Sequence, residues 1–230
     1  MNIFRNFGLV TVAAMLLTLL GSYAAAQTPP APAATPIPAP VMPPSLPANH
    51  VADIMISKDA AVFGIQWKAL DAKIVEVPAI TTAQPDYKTT YDIAPHAGEA
   101  GFDDSSWPLI KAEDLATRRS GGHVGFVWYR TGITLPAMIG DLNTTGLKVV
   151  LHVLVDDYAE VWVNGQMPRR AGYPSPATIQ GFNMPNRVML TESAKPGERF
   201  QIAIFGINGP ISVAPNNAVW FREAKLEFYK

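Results

Sequence analysis

The sequence contains no cysteine, only four histidines and few charged residues, which make up 16% of the chain. Without cysteine there is no disulfide framework, no lipid-attachment cysteine and no thiolate for a soft metal site. Stability must therefore come from an ordinary packed core. A net charge of −1 also provides no basic excess, so we expect no nucleic-acid partner.

Sequence signals for common catalytic centres are also missing. No two histidines have the i, i+4 spacing of a zinc protease, and neither a Gly-x-Ser-x-Gly elbow nor a phosphate-binding glycine loop is present. His96 and His123 fall in predicted loops and are weak ligand candidates, whereas His152 lies in a predicted strand and is better explained as a paired or rim residue. No cofactor is expected.

An export signal is predicted at the start of the chain. Arg5 precedes an almost wholly apolar run, Phe7–Leu20, and Ala24–Ala26 supplies small residues for cleavage. The run is shorter than the roughly 20 residues that a membrane-spanning helix requires. We therefore predict a signal peptide at residues 1–26, a secreted or periplasmic protein, and membrane contact only through an uncleaved signal segment.

Proline and alanine dominate the next stretch, residues 27–50, which has no apolar periodicity to bury. This composition is typical of an extended, disordered linker. We interpret it as a tether and expect residues 51–230 to form the folded domain.

The segment Val155–Gly165 carries the clearest structural signal. Alternating apolar residues lead into it from Leu147, Asp156 and Asp157 then turn the chain, and the alternation resumes at Ala159. Asn164-Gly165 is typical of a tight type I′ hairpin turn, in which both residues have positive φ. Two strands and two turns are therefore predicted within one short stretch.

Most of the remaining folded part also shows strand patterns. One short helix is predicted at Lys111–Arg119, and a long surface connection at Pro78–Gly101. The other predicted strands are Val62–Lys68, Lys73–Val77, Phe126–Leu135, Arg187–Leu190, Arg199–Phe205 and Ala218–Phe228. Short strands separated by glycine, proline or asparagine predict an all-β sandwich.

Four motifs in order resemble those of a known family. They are Gly101–Trp107, Trp128-Tyr129-Arg130 running to Leu135-Pro136, Val155–Gly165, and Lys195–Glu198 before Phe200–Asn208. Together they resemble the galactose-binding-like jelly roll at the N-terminus of β-galactosidase and β-glucuronidase-like glycosidases. Tyr91-Asp92 with Pro95–Gly98, and Phe205–Pro210, are also similar to the domain before the propeller in secreted gluconolactonase-like proteins.

This resemblance implies a jelly-roll β-sandwich that accompanies an enzyme. In those families the chemistry resides in a barrel or propeller, and the sequence ends at Lys230 after its last predicted strand. We therefore expect a non-catalytic binding module, with carbohydrate or a cell-envelope glycan as the favoured ligand. The alternatives are an accessory domain or remnant of a separately encoded sugar lactonase or glycosidase, and an envelope protein-interaction domain.

Candidate ligand contacts are aromatic or hydrogen-bonding residues, because sugars present apolar faces and polar edges. Trp128 and Trp220 are expected in the core, whereas Trp162 and a predicted loop, Pro168–Asn186, are better candidates. The candidate binding residues are Arg130, Tyr158, Trp162, Arg169, Arg170, Tyr173, Phe182, Asn183, Asn186, Arg187 and Asn208.

Several of these residues also have a structural interpretation. Arg130 and Arg187 lie in or beside strands, where an unpaired charge is unfavourable, so salt bridges to Asp156, Asp157 or Glu160 are preferred. Asn208 is most simply a turn residue. The adjacent pairs Asp103-Asp104 and Asp156-Asp157 suit turns better than glycosidase chemistry, although they could contribute to a structural calcium site.

Overall fold

The computed structural model describes residues 47–81, 88–117, 125–167, 184–208 and 219–230. Its strands are β1 (His50–Asp53), β2 (Trp67–Asp71), β3 (Lys73–Thr81), β4 (Lys88–Ala94), β5 (Leu109–Ile110), β6 (Phe126–Thr134), β7 (Met138–Ile139), β8 (Leu142–Asn143), β9 (Lys148–Asp156), β10 (Tyr158–Val163), β11 (Asn186–Thr191), β12 (Arg199–Ile207) and β13 (Trp220–Tyr229).

Two antiparallel sheets form the sandwich. One has four strands in the order β1-β13-β9-β11, and the other has five in the order β10-β12-β6-β2-β5. Their facing sides share one hydrophobic core, in which Phe221 contacts Tyr129 with ring centroids 4.8 Å apart and Trp67 at 6.0 Å. The predicted all-β sandwich is confirmed.

Alternation along the strands explains how this core forms. In β9 the side chains of Val149, Leu151 and Val153 point to the core, and in β6 those of Val127 and Tyr129 do. Successive residues of a strand point to opposite faces, so each sheet also has an outer face with its own set of side chains. Burial of a large apolar side chain contributes roughly 1.5–3 kcal/mol to the free energy of folding. The apolar side chains therefore determine which face of each strand is inward.

The stretch Val155–Gly165 behaves largely as predicted, with one addition. The two strands belong to different sheets, because β9 lies in the four-stranded sheet and β10 in the five-stranded one. Asn164 and Gly165 have φ of 50° and 79°, as a type I′ turn requires. A Cβ on Gly165 would lie 2.7 Å from the backbone nitrogen of Ala100, so this turn packs closely on that segment.

The predicted long connection Pro78–Gly101 is wrong in part. β3 continues to Thr81, and β4 pairs with it antiparallel to form a separate two-stranded sheet, here named the ribbon (β3 and β4). The alternation Thr89, Tyr91, Ile93 gives a strand signal that nearby prolines obscured. Within the described residues, the ribbon strands pair only with each other.

Helical structure is short and was only partly predicted. Ala112–Ala116 forms a 3₁₀ helix inside the predicted helix Lys111–Arg119. The predicted strand Val62–Lys68 is wrong at its start, because Ser57–Val62 is an α-helix (α1) and β2 begins at Trp67. Buried Ala60 and Phe63 lie three residues apart, a spacing that suits one face of a helical turn.

The predicted signal peptide and most of the predicted linker lie outside the described residues, and so does the predicted loop Pro168–Asn186 up to residue 183. The first strand, β1, includes His50, the last residue of the predicted linker, and pairs with β13. In the parts of the chain that the structure describes, no helix has the length and apolar character needed to span a membrane.

Candidate functional site

A second hydrophobic cluster covers the outer face of the five-stranded sheet. Trp128 of β6 and Phe205 of β12 form its base, and their ring centroids are 5.0 Å apart. Trp162 of β10 meets Trp128 edge to face at 6.4 Å. Trp128 is buried, as predicted for a core residue, but it lies in this outer cluster and not between the sheets. Large aromatic side chains therefore line a face that in many sandwiches is polar.

A pocket of about 570 Å³ opens on this face. The base comes from β6 and β12, β10 forms one wall, and residues of the ribbon and of the segment after it complete the lining. The residues that line it are Ile74, Tyr91, Asp92, Ile93, His96, Gly98, Glu99, Phe126, Trp128, Tyr158, Glu160, Trp162, Phe205 and Ile207. Its volume is in the range of small-molecule sites.

Glu160 is the carboxylate on the strand that forms one wall. It accepts a hydrogen bond of 3.1 Å from the Tyr158 hydroxyl. Burial raises the pKa of Glu160, although the hydrogen bond from Tyr158 and the nearby Trp162 indole act in the opposite direction. Burial, together with the charge of Glu160, also raises the pKa of Tyr158. Tyr158 therefore remains a hydroxyl that orients the Glu160 carboxyl.

A second polar pair lies at the rim. His96 Nε2 is 2.6 Å from Asp92 Oδ2, and His96 Nδ1 is 3.6 Å from Glu99 Oε1. The hydrogen bond to Asp92 raises the pKa of His96, and the same bond lowers the pKa of Asp92. All three side chains are well exposed. The rim therefore carries a charged pair plus one further carboxylate.

Arg130 holds the segment that carries part of the pocket. It is 2% exposed, and its Nε donates to Asp104 Oδ2 at 2.8 Å. Its guanidinium also donates to the carbonyl oxygens of Ala97, Glu99 and Phe102. The predicted salt bridge is therefore present, but the predicted partners are wrong: Asp104, which also pairs with Lys68 at 2.7 Å, is the partner.

Gly98 lies against the indole of Trp162. A Cβ at this position would be 2.7 to 2.9 Å from three ring carbons, closer than real Cβ atoms approach. Only glycine lets the backbone stack on this ring. Arg130 binds the carbonyls on either side, at Ala97 and Glu99, and so holds the loop at this position against the ring.

Arg187 lies elsewhere, on the outer face of the four-stranded sheet. Its Nη1 is 2.5 Å from Glu227 Oε2, and its Nη2 donates to the Tyr229 hydroxyl at 3.0 Å. Tyr229 donates to Glu227 at 2.6 Å, and His152 Nδ1 lies 3.5 Å from Glu227 Oε1. We call these four residues, Arg187, Glu227, Tyr229 and His152, the ionic network. A salt bridge was predicted for Arg187, but with the wrong partners.

Hydrogen bonds and charge leave Glu227 strongly acidic. Burial acts to raise its pKa, but hydrogen bonds from His152 and Tyr229 and the charge of Arg187 outweigh burial and lower the pKa to about 2. His152 is thus a paired residue, as predicted. Nearby, Asp156 pairs with Arg222 at 2.9 Å and not with Arg187.

Of the predicted binding residues that the structure describes, only Tyr158 and Trp162 line the pocket. Asn186 begins β11 and is 1% exposed, and neither of its amide atoms has a hydrogen-bond partner among the described residues. Asn208 is buried just after β12. The other predicted binding residues, Arg169, Arg170, Tyr173, Phe182 and Asn183, lie outside the described residues.

Sequence reasoning missed several pocket residues. Glu160 was considered only as a salt-bridge partner, although it shares a strand face with Tyr158 and Trp162 at i±2. Tyr91 and Asp92 lie in the stretch that was predicted to be a loop. A search for strand alternation across Thr89–Ile93 would have found them.

One of the predicted aspartate pairs contains a residue that stabilises a turn, as predicted. Asp103 Oδ1 accepts from the backbone amide of Ser105 at 2.9 Å, and this bond lowers the pKa of Asp103. Over the described ranges, no group of three or more histidine, aspartate or glutamate side chains is arranged to hold a metal ion. These ranges therefore offer no carboxylate cluster in support of the suggested structural calcium.

Comparison with known proteins gives structural similarity alone. Neither a family model nor a curated protein sequence matches this chain. Among solved structures, a calcium-binding mutant of Bacteroides uniformis β-glucuronidase 2 is similar with a TM-score of 0.47 and 16% identity. The match covers 78% of this chain and 18% of that chain.

Two further structures are similar in the same way. A β-glucuronidase from glycoside hydrolase family 2 matches at a TM-score of 0.47 and 17% identity, over 81% of this chain and 18% of its own. A Faecalibacterium prausnitzii β-glucuronidase matches at 0.38 and 16%, over 71% of this chain and 31% of its own. The resemblance to β-glucuronidase-like glycosidases is confirmed as a structural similarity. At these values it assigns no function.

This chain spans less than a third of the length of the β-glucuronidases that it resembles. Their activity therefore cannot be transferred to it from the similarity.

Proposed function

We propose that this protein is a non-catalytic carbohydrate-binding module and that the pocket on the five-stranded sheet is its binding site. The observation that carries the proposal is the composition of the pocket wall, where Tyr91, Tyr158 and Trp162 occur beside carboxylates. Aromatic rings pack against the apolar faces of sugars, while carboxylates and hydroxyls bind their polar edges. Two of these three aromatic residues were candidates from the sequence.

Binding without cleavage suits the state of the pocket carboxylates. A glycosidase uses two carboxyl groups that flank the scissile bond. Here Asp92 is engaged by His96, and Glu160 by Tyr158. These partners support a role in holding and orienting a ligand. We therefore propose that the protein does not hydrolyse aryl glycosides or oligosaccharides, whether or not it binds them.

The proposed setting is outside the cytoplasm. The predicted signal peptide and the proline- and alanine-rich linker support an exported, tethered module. Fractionation of cells that express the full chain would test this, with recovery in the cytoplasm as the contradicting result.

The binding experiment uses the purified full-length chain and a panel of neutral, acidic and amino oligosaccharides. Trp128 and Trp162 lie in the pocket, so ligand binding should change tryptophan fluorescence, with calorimetry as a second measurement. Tyr91→Ala removes a 55% exposed ring and should weaken binding by about tenfold, on the scale of an aromatic contact.

The matched control is Leu109→Ala, which removes another exposed apolar side chain outside the pocket. It should bind as the unmodified protein does. No binding of any sugar by the unmodified protein, or equal losses in the two variants, would contradict the proposed function.

A protein-interaction role is the second candidate, and the ribbon favours it. Ile74 and Val75 point to opposite faces of β3, yet both are about half exposed. An exposed apolar side chain on either face can add apolar contact area to a protein interface. Val75 does not line the pocket, so Val75→Ser should abolish binding of a stoichiometric protein partner and leave sugar binding intact.

A further inference from the structure

Negative charge dominates the described lining of the pocket. Three carboxylates line it, Asp92, Glu99 and Glu160, and none of the described lining residues is lysine or arginine. The one basic residue of the described lining, His96, is paired with Asp92 at 2.6 Å. His96 Nδ1 also lies 3.6 Å from Glu99 Oε1, so one imidazole faces two carboxylates, and the described lining keeps an excess of acidic groups that includes Glu160. An anionic sugar would be repelled here, and a cationic group would be attracted.

Tyr158 and Trp162 form an aromatic wall of the pocket, and this wall also favours a cationic ligand group. Ammonium groups bind over the faces of tryptophan and tyrosine rings, most strongly where water is excluded. Tyr158 and Trp162 lie on the same face of β10 as Glu160, one on either side of it along the strand. A cation beside Glu160 would thus meet a carboxylate and aromatic side chains together.

Glu160 also has a physical reason to bind a cation. Burial raises its pKa, which means that its charged form is disfavoured in the free protein. A ligand ammonium would compensate for the lost hydration through a charge-assisted hydrogen bond. The Tyr158 hydroxyl, 3.1 Å away, holds the carboxyl in position.

We propose that the pocket binds an amino sugar and holds its protonated amine between Glu160 and the aromatic wall. This inference rests on the proposed carbohydrate-binding function and specifies the ligand class of the same site.

The test compares oligosaccharides that share a β-1,4 linkage and differ in one substituent. The full-length chain is titrated with glucosamine oligomers, their N-acetylated forms, cello-oligosaccharides and uronic acid oligomers, at a pH at which the amine is protonated. We expect the amine series to bind at least about tenfold more tightly than the N-acetylated series, the scale of a charge-assisted hydrogen bond. Uronic acid oligomers should bind most weakly.

Variants locate the effect. Glu160→Gln keeps the size of the side chain and removes its charge, so the preference for the amine should fall by about tenfold while cello-oligosaccharide binding is unchanged. The control Glu192→Gln removes an exposed carboxylate that pairs with Lys148 outside the pocket, and it should change nothing. Glu99→Gln, at another exposed position, provides a second pocket variant should Glu160→Gln fold poorly.

The outcomes separate this inference from the function on which it rests. Equal binding of amine, N-acetylated and neutral oligomers would overturn the amine proposal and leave carbohydrate binding standing. An unchanged amine preference in Glu160→Gln would overturn the proposed site. If a simple alkylammonium ion binds as tightly as the amino sugar, the cation preference stands and the carbohydrate function fails.

Discussion

The two outer faces of the sandwich differ in how their charges are satisfied. On the four-stranded sheet, Arg187 and Glu227 form an ion pair 2.5 Å apart within the ionic network. On the five-stranded sheet, Glu160 is half-buried beside aromatic residues, and among the described residues it accepts a hydrogen bond from the neutral hydroxyl of Tyr158. The same fold thus carries one face whose charges are neutralised internally and another whose carboxylate is available to a ligand.

Opposite pKa shifts express this difference. The pKa of Glu227 is lowered, so the network favours its charged form, whereas the pKa of Glu160 is raised, so its surroundings disfavour that form. A group with a lowered pKa stabilises the fold when it is charged, and one with a raised pKa stabilises it when it is neutral. The faces should therefore respond in opposite ways to mutation and pH.

The largest effect is expected from breaking the ionic network. Arg187→Ala leaves Glu227 largely buried without its cation, and we expect a loss of about 3 kcal/mol in the free energy of unfolding. Chemical denaturation measures it. Arg187→Met combined with Glu227→Leu should recover most of the loss, because no buried charge then remains unpaired. A double variant as unstable as Arg187→Ala would show that packing, and not charge, dominates.

The next effect concerns the pocket and its loop. Gly98→Ala places a methyl group where the Trp162 ring lies, so the ring or the loop must move. We expect a loss of about 1–3 kcal/mol in stability, as for other overpacked sites, together with loss of sugar binding. Gly101→Ala is the control, since a Cβ there meets no atom of the described residues within 4 Å. Normal binding by Gly98→Ala would contradict the described stacking.

Acid titration should distinguish the faces directly. The carboxylate of Glu227 stabilises the fold above its ordinary pKa of about 4.5, and this contribution is lost as the pH falls from there toward about 2. Glu227→Gln should therefore flatten the dependence of unfolding free energy on pH across that window. An unchanged profile would show that Glu227 does not carry the effect.

For Glu160 the sign is reversed. Because its folded-state pKa is raised, the fold loses stability as the pH rises above the ordinary value of about 4.5 toward the raised one. Glu160→Gln should accordingly be more stable than the unmodified protein at neutral pH. Denaturation at pH 7 checks this, and a destabilised Glu160→Gln would mean that the carboxylate has a stabilising partner.

The smallest effect is expected at the rim. His96 and Asp92 are well exposed, so Asp92→Asn should leave stability essentially unchanged. It should, however, lower the pKa of His96 toward its ordinary value, because the Asp92 hydrogen bond is the main cause of the raised pKa. Nuclear magnetic resonance titration of His96 measures this shift. A pKa that stays raised would assign the effect to Glu99.

The sequence was sufficient to predict the β-sandwich, because burial of one strand face imposes an apolar pattern with a period of two residues. Strands such as β9 and β12 alternate between core and outer residues, so their positions could be predicted within one or two residues. The turn at Asn164-Gly165 was equally clear, since few residue pairs accept positive φ at both positions. Local rules determine these features.

Partners across the sheets could not be predicted in this way. The sequence placed Arg130 and Arg187 near Asp156, Asp157 and Glu160, yet their partners are Asp104 and Glu227. Which carboxylate meets which guanidinium depends on strand order and on the path of the loops, neither of which a periodic pattern encodes. The pocket was missed for the same reason, because part of its lining comes from the ribbon.

The ribbon adds a consequence for how the protein could be altered. Within the described residues it shares no backbone ladder with either main sheet, whereas the base of the pocket belongs to strands that are paired on both sides or hold the sandwich edge. We therefore expect the ribbon to tolerate changes in length and sequence that the base would not. One wall of the pocket is exchangeable, and new specificities could be selected there while the scaffold remains as it is.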